Sequence, residues 1–133
     1  MAASDLLERE ILEYVMRSGQ VAATFEVALY IDDPTDAGTG TEVSAASYAR
    51  AAVPSDATSW VAPATEAGVT TTSNASQIDF PDAAESWGTI THYGIHDAVT
   101  GSLLIGAPLD QSYAISSGQP VFFRASELIV SAE

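Results

Sequence analysis

Apolar and polar residues follow two different periods along this chain, a helical one near the N-terminus and an alternating one afterwards. Within residues 4–17, the apolar positions at helical spacing are Leu7, Ile11, Tyr14 and Val15. Ser4 or Asp5 can cap such a helix, and Gly19 can end it in a left-handed conformation. The pattern therefore predicts one amphipathic helix over residues 4–17.

From Thr24 onward the period changes to two, because Phe25, Val27 and Leu29 alternate with other residues up to the turn sequence Asp32-Asp33-Pro34. Similar short segments recur between turn residues. The further predicted strands are 48–53, 76–80, 88–96, 102–107, 111–115, 121–125 and 128–130. About seven or eight short strands at this spacing are typical of an antiparallel β-sandwich or a small barrel. The predicted fold class is thus mainly β, with an N-terminal helix.

The same pattern predicts a division of the chain near Gly19. We expect residues 1–19 to form a docking helix and residues 20–133 to form the β-sandwich domain. Residues 32–47 and 54–74 contain many turn-forming residues and are predicted as long loops, which in compact domains are usually functional or disordered.

The charge of the chain narrows the classes of partner. Eighteen acidic residues face four basic ones, all of them arginine, for a net charge of −14. Nucleic acid and anionic membrane surfaces are therefore not expected as partners, because both require clustered cations. The chain has no cysteine, which excludes disulfides and thiolate metal sites. It shows no secretory signal and no membrane-spanning run, so we expect a soluble protein synthesised in the cytoplasm.

His92 and His96 are the first candidates for chemistry. In a strand they lie on one face, roughly 13 Å apart at about 3.3 Å per residue, which is too far to share a metal ion unaided. We interpret them as two partly exposed strand histidines with local hydrogen bonds. A metal or pH-sensing role is the alternative.

The densest acidic segment contains Asp32, Asp33, Asp36 and Glu42. Its spacing does not match an EF-hand, and Asp33-Pro34-Thr35-Asp36 has the residue preferences of a turn, so calcium binding is the less favoured alternative. Arg50 is predicted to pair with an acid of this loop. We predict no catalytic residue, no metal and no cofactor.

The aromatic residues allow two interpretations. Trp87, at the start of a strand, is expected to pack in the β-core. Trp60 lies in the second long loop and is a candidate for contact with another chain. The candidate interaction residues are therefore Leu7, Ile11, Val15 and Trp60.

Three blocks of the sequence carry a resemblance to a known family, namely Asp33 to Glu42, Tyr48-Ala49-Arg50 and Phe80 to Gly101. In this order they resemble the tail fibre proteins of tailed bacteriophages and prophages, which are small virion structural proteins. The resemblance extends from about residue 6 to residue 130. It implies a location on the virion surface and association with other virion proteins.

Together these observations predict a non-catalytic surface assembly module, either of the tail fibre type or a capsid decoration or cement protein, that acts by self-assembly and docking. Unpaired strand edges and a high apolar content predict a homo-oligomer, for example a trimer. A host-glycan receptor-binding module is the alternative function. A small polysaccharide hydrolase is a third and weaker one.

Overall fold

The computed structural model describes residues 4–132 and confirms the predicted fold class. Helix α1 spans Asp5–Arg17. Nine strands follow within the described residues: β1 Thr24–Tyr30, β2 Ala51–Pro54, β3 Ala64–Glu66, β4 Val69–Ser73, β5 Ile78–Asp79, β6 Gly88–Asp97, β7 Leu103–Ile115, β8 Phe122–Phe123 and β9 Ile129–Ala132. Their sheets do not close into a barrel, which leaves the β-sandwich of the two predicted architectures.

The chain forms two compact units. Unit 1 takes its described residues from Met1–Thr24, Pro54–Ile78 and Phe123–Glu133, and unit 2 consists of Phe25–Val53 and Asp79–Phe122. This grouping differs from a division after residue 19, because it places α1 with later segments of the chain. The docking role of residues 1–19 stays a prediction.

In unit 1, α1 packs on the three-stranded antiparallel sheet β3-β4-β9. The Ser4 hydroxyl accepts a hydrogen bond from the Leu7 amide as the N-cap, and Gly19 follows the helix with φ +73°. Leu12 and Met16 are buried. The predicted capping signals of the helix are therefore confirmed.

Hydrogen bonds also attach the helix to this sheet. Arg9 donates to the Thr65 hydroxyl at 3.2 Å, and the Thr70 hydroxyl donates to the buried carboxylate of Glu8 at 2.9 Å. The two threonine hydroxyls lie 2.7 Å apart. Because Thr70 gives its hydrogen to Glu8, Thr65 must donate to Thr70, which completes a chain of donors from Arg9 to Glu8.

The hairpin β3-β4 corrects the prediction that residues 54–74 form a loop. Thr70 and Thr72 are buried on one face of β4, and both hydroxyls are bonded, that of Thr72 to the Val61 carbonyl. Threonine is a β-branched residue that favours strands. Because threonine is polar, the alternation of buried and more exposed residues in β4 does not show as an apolar–polar pattern in the sequence.

Unit 2 is built on the four-stranded sheet β2-β1-β6-β7, in which β1 pairs antiparallel with β6 and β6 with β7. One face carries the buried apolar residues Phe25, Val27, Leu29, Tyr93 and Ile95.

Strand β7 runs without interruption through Pro108, so the prediction of separate strands at 102–107 and 111–115 is wrong. Proline lacks the amide hydrogen that a central strand needs, but an edge strand tolerates it. β7 is such an edge strand.

Candidate functional site

Tyr30 and His96 meet on the second face of the unit 2 sheet. Tyr30 is opposite His92 in the β1-β6 register, and Ala28 is opposite Gly94. The side chain of Tyr30 leans over Gly94, so that its hydroxyl lies 2.7 Å from His96 Nε2 and the two rings stack. A Cβ on Gly94 would lie 2.7 Å from Tyr30 Cε1. Glycine at this position therefore makes room for the pair.

The hydrogen bonds of His96 fix the roles of its two nitrogens. Nδ1 lies 2.9 Å from the carbonyl oxygen of Gly101, which can only accept, so Nδ1 carries a hydrogen. In the uncharged ring Nε2 is then the acceptor of the Tyr30 hydroxyl. The lone pair of Nε2 is thus occupied, and the residue is only 4% exposed.

Next to this pair, Arg50 and Tyr48 hold the carboxylate of Glu42. Arg50 donates from Nε and NH2 to the two carboxylate oxygens at 2.9 and 2.8 Å, and the Tyr48 hydroxyl donates at 2.6 Å. Arg50 also lies 3.5 Å from Glu26. The prediction that Arg50 pairs with a loop acid is confirmed.

These contacts shift the acidity of all three groups. Burial raises the pKa of Glu42, but the bonds from Arg50 and Tyr48 more than offset this effect and hold the pKa below its usual value. The hydrogen bond from Arg50 to Glu42 raises the pKa of Arg50. Burial, and to a smaller extent the hydrogen bond from Tyr48 to Glu42, raises the pKa of Tyr48. The cluster therefore favours ionised Glu42, cationic Arg50 and neutral Tyr48.

The residues around this cluster enclose a cleft of about 490 Å³, which we call the Tyr30–His96 cleft. It is lined by Tyr30, Asp36, Ala37, Gly38, Gly40, Glu42, Arg50, His96, Gly101, Ser102 and Leu103. Among the described residues, no buried side-chain nitrogen or oxygen lacks a hydrogen-bond partner. Within the cleft Tyr30 binds His96 and Glu42 binds Arg50, and these contacts fasten the loop between β1 and β2 to the sheet.

This cluster predicts a specific acid sensitivity. Because the pKa of Glu42 is lower in the folded chain than its ordinary value of 4.5, its ionised form stabilises the fold above about pH 4.5, and this contribution is lost as the pH falls through the folded-state pKa. Glu42→Gln should lower the free energy of unfolding at pH 7 by about 1.5–3 kcal/mol and weaken its decline between about pH 5 and 3. Urea unfolding at several pH values measures both effects.

Glu66→Gln is the control, because it makes the same chemical change at an exposed residue of unit 1. We expect it to follow the wild-type pH curve. If the wild type and Glu42→Gln lost stability in parallel on acidification, the stabilising role of ionised Glu42 would be contradicted.

The acidic loop contains a hydrogen-bonded turn at residues 35–38, two residues beyond the predicted Asp33–Asp36, because the Gly38 amide donates to the Thr35 carbonyl at 3.2 Å. The Asp33 carboxylate accepts the Thr35 amide at 2.9 Å, and Asp32 accepts the Thr41 amide. Within residues 4–132 no group of three or more histidine, aspartate or glutamate side chains is placed to hold a metal ion. Of the two predicted strand histidines, His92 bonds Thr91 locally at 2.8 Å, whereas His96 is buried in the cluster described above.

The helix has an exposed apolar face opposite the one that packs on its sheet. Leu7 is 48% exposed and Ile11 43%, while Val15 is half-buried. Leu6 and Tyr14 are also exposed, at 62% and 54%. We call Leu6, Leu7, Ile11 and Tyr14 the helix stripe. Most of the apolar residues that the sequence pattern singled out are therefore on the open side of α1, and Leu12 and Met16 form the packed side.

Trp60 lies in the core of unit 1 and not on its surface. It is 0% exposed, and its Nε1 donates to the Pro54 carbonyl at 3.1 Å. A contact with another chain needs exposed surface, so the structure does not place Trp60 for the role that the sequence suggested. The adjacent backbone explains this position, since the Val61 amide donates to Ser73 and ties the segment to β4.

Trp87 and Tyr93 are also core residues. Trp87 is buried, as predicted, and packs edge to face on Tyr48, with ring centroids 5.3 Å apart. Its Nε1 donates to the Ser47 hydroxyl at 2.9 Å. Tyr93 is buried as well, and burial raises its pKa to about 12. These rings do not form the exposed stacking platform on which the glycan-binding alternative depends.

The fold and the cluster define an acidic, mainly antiparallel β-protein in which Glu42 binds Arg50 and Tyr48, and His96 binds Tyr30. The family model described as Podophage GP4 fiber I protein gp80 matches residues 2–131, and the chain therefore belongs to this family of podophage fibre proteins. No curated protein matches the sequence. Membership indicates a structural role of the fibre type in the virion, in association with other virion proteins.

The sequence blocks that resemble tail fibre proteins can be located in the structure. The three sequence blocks that carried the tail fibre resemblance all lie within unit 2. The lining of the Tyr30–His96 cleft draws on each of them through Gly40, Arg50 and His96.

Among the described residues, no helix is long and apolar enough to cross a membrane.

Proposed function

We propose that this fibre-family protein is a non-catalytic assembly module of the phage particle, which docks through the helix stripe and associates with further copies of itself. The observation that carries the proposal is the exposed apolar face of α1. Four large apolar side chains are open on a helix whose other side is already packed. Clustered apolar surface of this kind marks interaction sites in soluble proteins.

The polar clusters support a structural role over an enzymatic one. The His96 ring is committed to Tyr30 and Gly101, and Glu42 is committed to Arg50 and Tyr48. Hydrolysis of a polysaccharide requires a carboxylic acid and a second carboxylate that face a substrate. Of the two acids that line the cleft, Glu42 anchors a loop through Arg50 and Tyr48, and Asp36 lies exposed in that loop.

Docking through the helix stripe can be tested with one matched pair of substitutions. Ile11→Ser should leave the protein folded, because the side chain is 43% exposed, but reduce its incorporation into phage particles at least tenfold. Ile129→Ser, at a residue 55% exposed in the same unit, should be incorporated normally. Circular dichroism checks folding, and quantitative immunoblotting of purified particles measures incorporation. Equal incorporation of both variants would refute docking through this face.

Association with further copies is proposed for the free edge of β7. This edge strand has 13 residues, none of them fully buried, and Asp110 is its one charged residue. Long edges with few charges are templates for pairing with another strand. A trimer is part of this proposal. The choice between a tail fibre role and a capsid decoration or cement role belongs to it as well.

The oligomer is expected to depend on salt, because each copy carries a net charge of −14. Light scattering should give a mass above that of one chain at about 0.5 M salt, and Ile105→Lys in β7 should restore the monomer. A single-chain mass at low and high salt alike would count against self-association.

A further inference from the structure

We infer that the occupant of the helix stripe is a different protein of the particle, which presents an apolar segment flanked by lysine or arginine. This inference rests on the proposed docking function and adds the chemistry of the partner. It follows from where the charges of α1 point and from how few cations a second copy could offer.

One acidic group of α1 lies exposed beside the helix stripe. This group is Glu10, three residues after Leu7 and four after Leu6. The carboxylate of Glu13 is 47% exposed and is paired with Arg17 at 2.6 Å. The rim of the helix stripe thus presents negative charge to any partner.

The two cations of α1 are directed elsewhere. Arg17 donates to Glu13 and to the carbonyls of Trp60 and Ala57, and Arg9 donates to Thr65. All these acceptors except Glu13 belong to the non-helical part of unit 1. Neither arginine therefore lines the stripe as a counter-charge to Glu10.

A second copy of the chain is poorly suited to this surface. The four arginines are its only lysine or arginine residues, and Arg50 is bound to Glu42 in unit 2. Of these four, all within the described residues, Arg124 alone is exposed. Self-pairing of the stripe would set Glu10 against another chain of net charge −14. Like charges at an interface oppose association, whereas opposite charges steer partners together and fix their register.

Charge reversal beside the stripe tests the inference in assembled particles. Glu10→Lys should reduce incorporation at least tenfold relative to wild type, and Glu10→Gln should reduce it less. Glu66→Lys, which makes the same change in net charge at an exposed position of β3 in unit 1, should be incorporated normally. Equal loss for Glu66→Lys, or no loss for Glu10→Lys, would overturn the predicted charge of the partner.

Photo-crosslinking identifies the partner directly and separates the two proposals. Tyr14, which is 54% exposed, is replaced by p-benzoylphenylalanine, and purified particles are irradiated and analysed by mass spectrometry. The expected product joins position 14 to another virion protein, at an apolar segment with lysine or arginine within about four residues. A product with a second copy, or with a segment that lacks these cations, would overturn the inference while leaving docking intact. Particles that contain the variant but give no crosslink would overturn docking through the stripe itself.

Discussion

Replacing Trp60 by alanine should lower the free energy of unfolding by about 3–5 kcal/mol, the range for removal of a large aromatic side chain from a core. Trp60 is 0% exposed, and its loss would also leave the Pro54 carbonyl without the indole donor at 3.1 Å. Small domains are stable by about 5–15 kcal/mol in total, so much of the stability of unit 1 depends on this residue. Urea unfolding followed by circular dichroism measures the change.

Two companion variants make the result interpretable. Val61→Ala, at the next residue and 43% exposed, should cost less than about 1 kcal/mol. Trp60→Phe keeps most of the apolar volume, and it provides a measurable intermediate if the alanine variant does not fold. Should Trp60→Ala cost no more than Val61→Ala and instead reduce incorporation into particles, Trp60 would be the partner contact that the sequence suggested.

The sequence predicted those elements whose periodicity is carried by strongly apolar residues. The alternation of Phe25, Val27 and Leu29 located β1, and Ser4 and Gly19 marked the two ends of the helix. In these segments local preference and burial agree, so the pattern alone is sufficient.

The elements that the sequence did not reveal depend on polar residues buried through distant partners. Asn74 is 0% exposed because its side chain donates to the carbonyls of Ser76 and Arg124 and accepts the Leu128 amide. Two of these partners lie 50 and 54 residues away along the chain. No local pattern predicts such an arrangement. The threonine-rich hairpin β3-β4 is similar, because buried Thr70 depends on Glu8, 62 residues away.

The candidate site was predictable only in part for the same reason. The single arginine amid an acidic surface indicated an ion pair, and Arg50 bound to Glu42 is that pair. The contact of Tyr30 with His96 spans 66 residues and depends on the space that Gly94 leaves. One signal was present in the sequence, namely a glycine two residues before a histidine in a predicted strand, since glycine inside a strand often marks close approach of another group.

Gly40→Ala should destabilise unit 2 by about 3 kcal/mol and open the Tyr30–His96 cleft. A Cβ at this position would lie 2.5 Å from the Asp33 carbonyl oxygen and 2.5 Å from Pro34 Cα. Both are backbone atoms, so relief requires movement of the loop and not of a flexible side chain, which places the cost at the upper end of that for overpacking. Urea unfolding gives the stability, and the NMR signals of the His96 ring report the cleft.

The neighbouring glycine provides the control that gives this experiment its meaning. Gly38 has φ +70°, and a Cβ there would meet only Leu103, at 3.5 Å, so Gly38→Ala should cost about 1–2 kcal/mol from backbone strain alone. It should leave the His96 signals near their wild-type positions, because the loop need not move. If Gly40→Ala instead costs no more than Gly38→Ala and leaves His96 unchanged, the loop adapts freely, and the Glu42–Arg50 cluster alone holds it against the sheet.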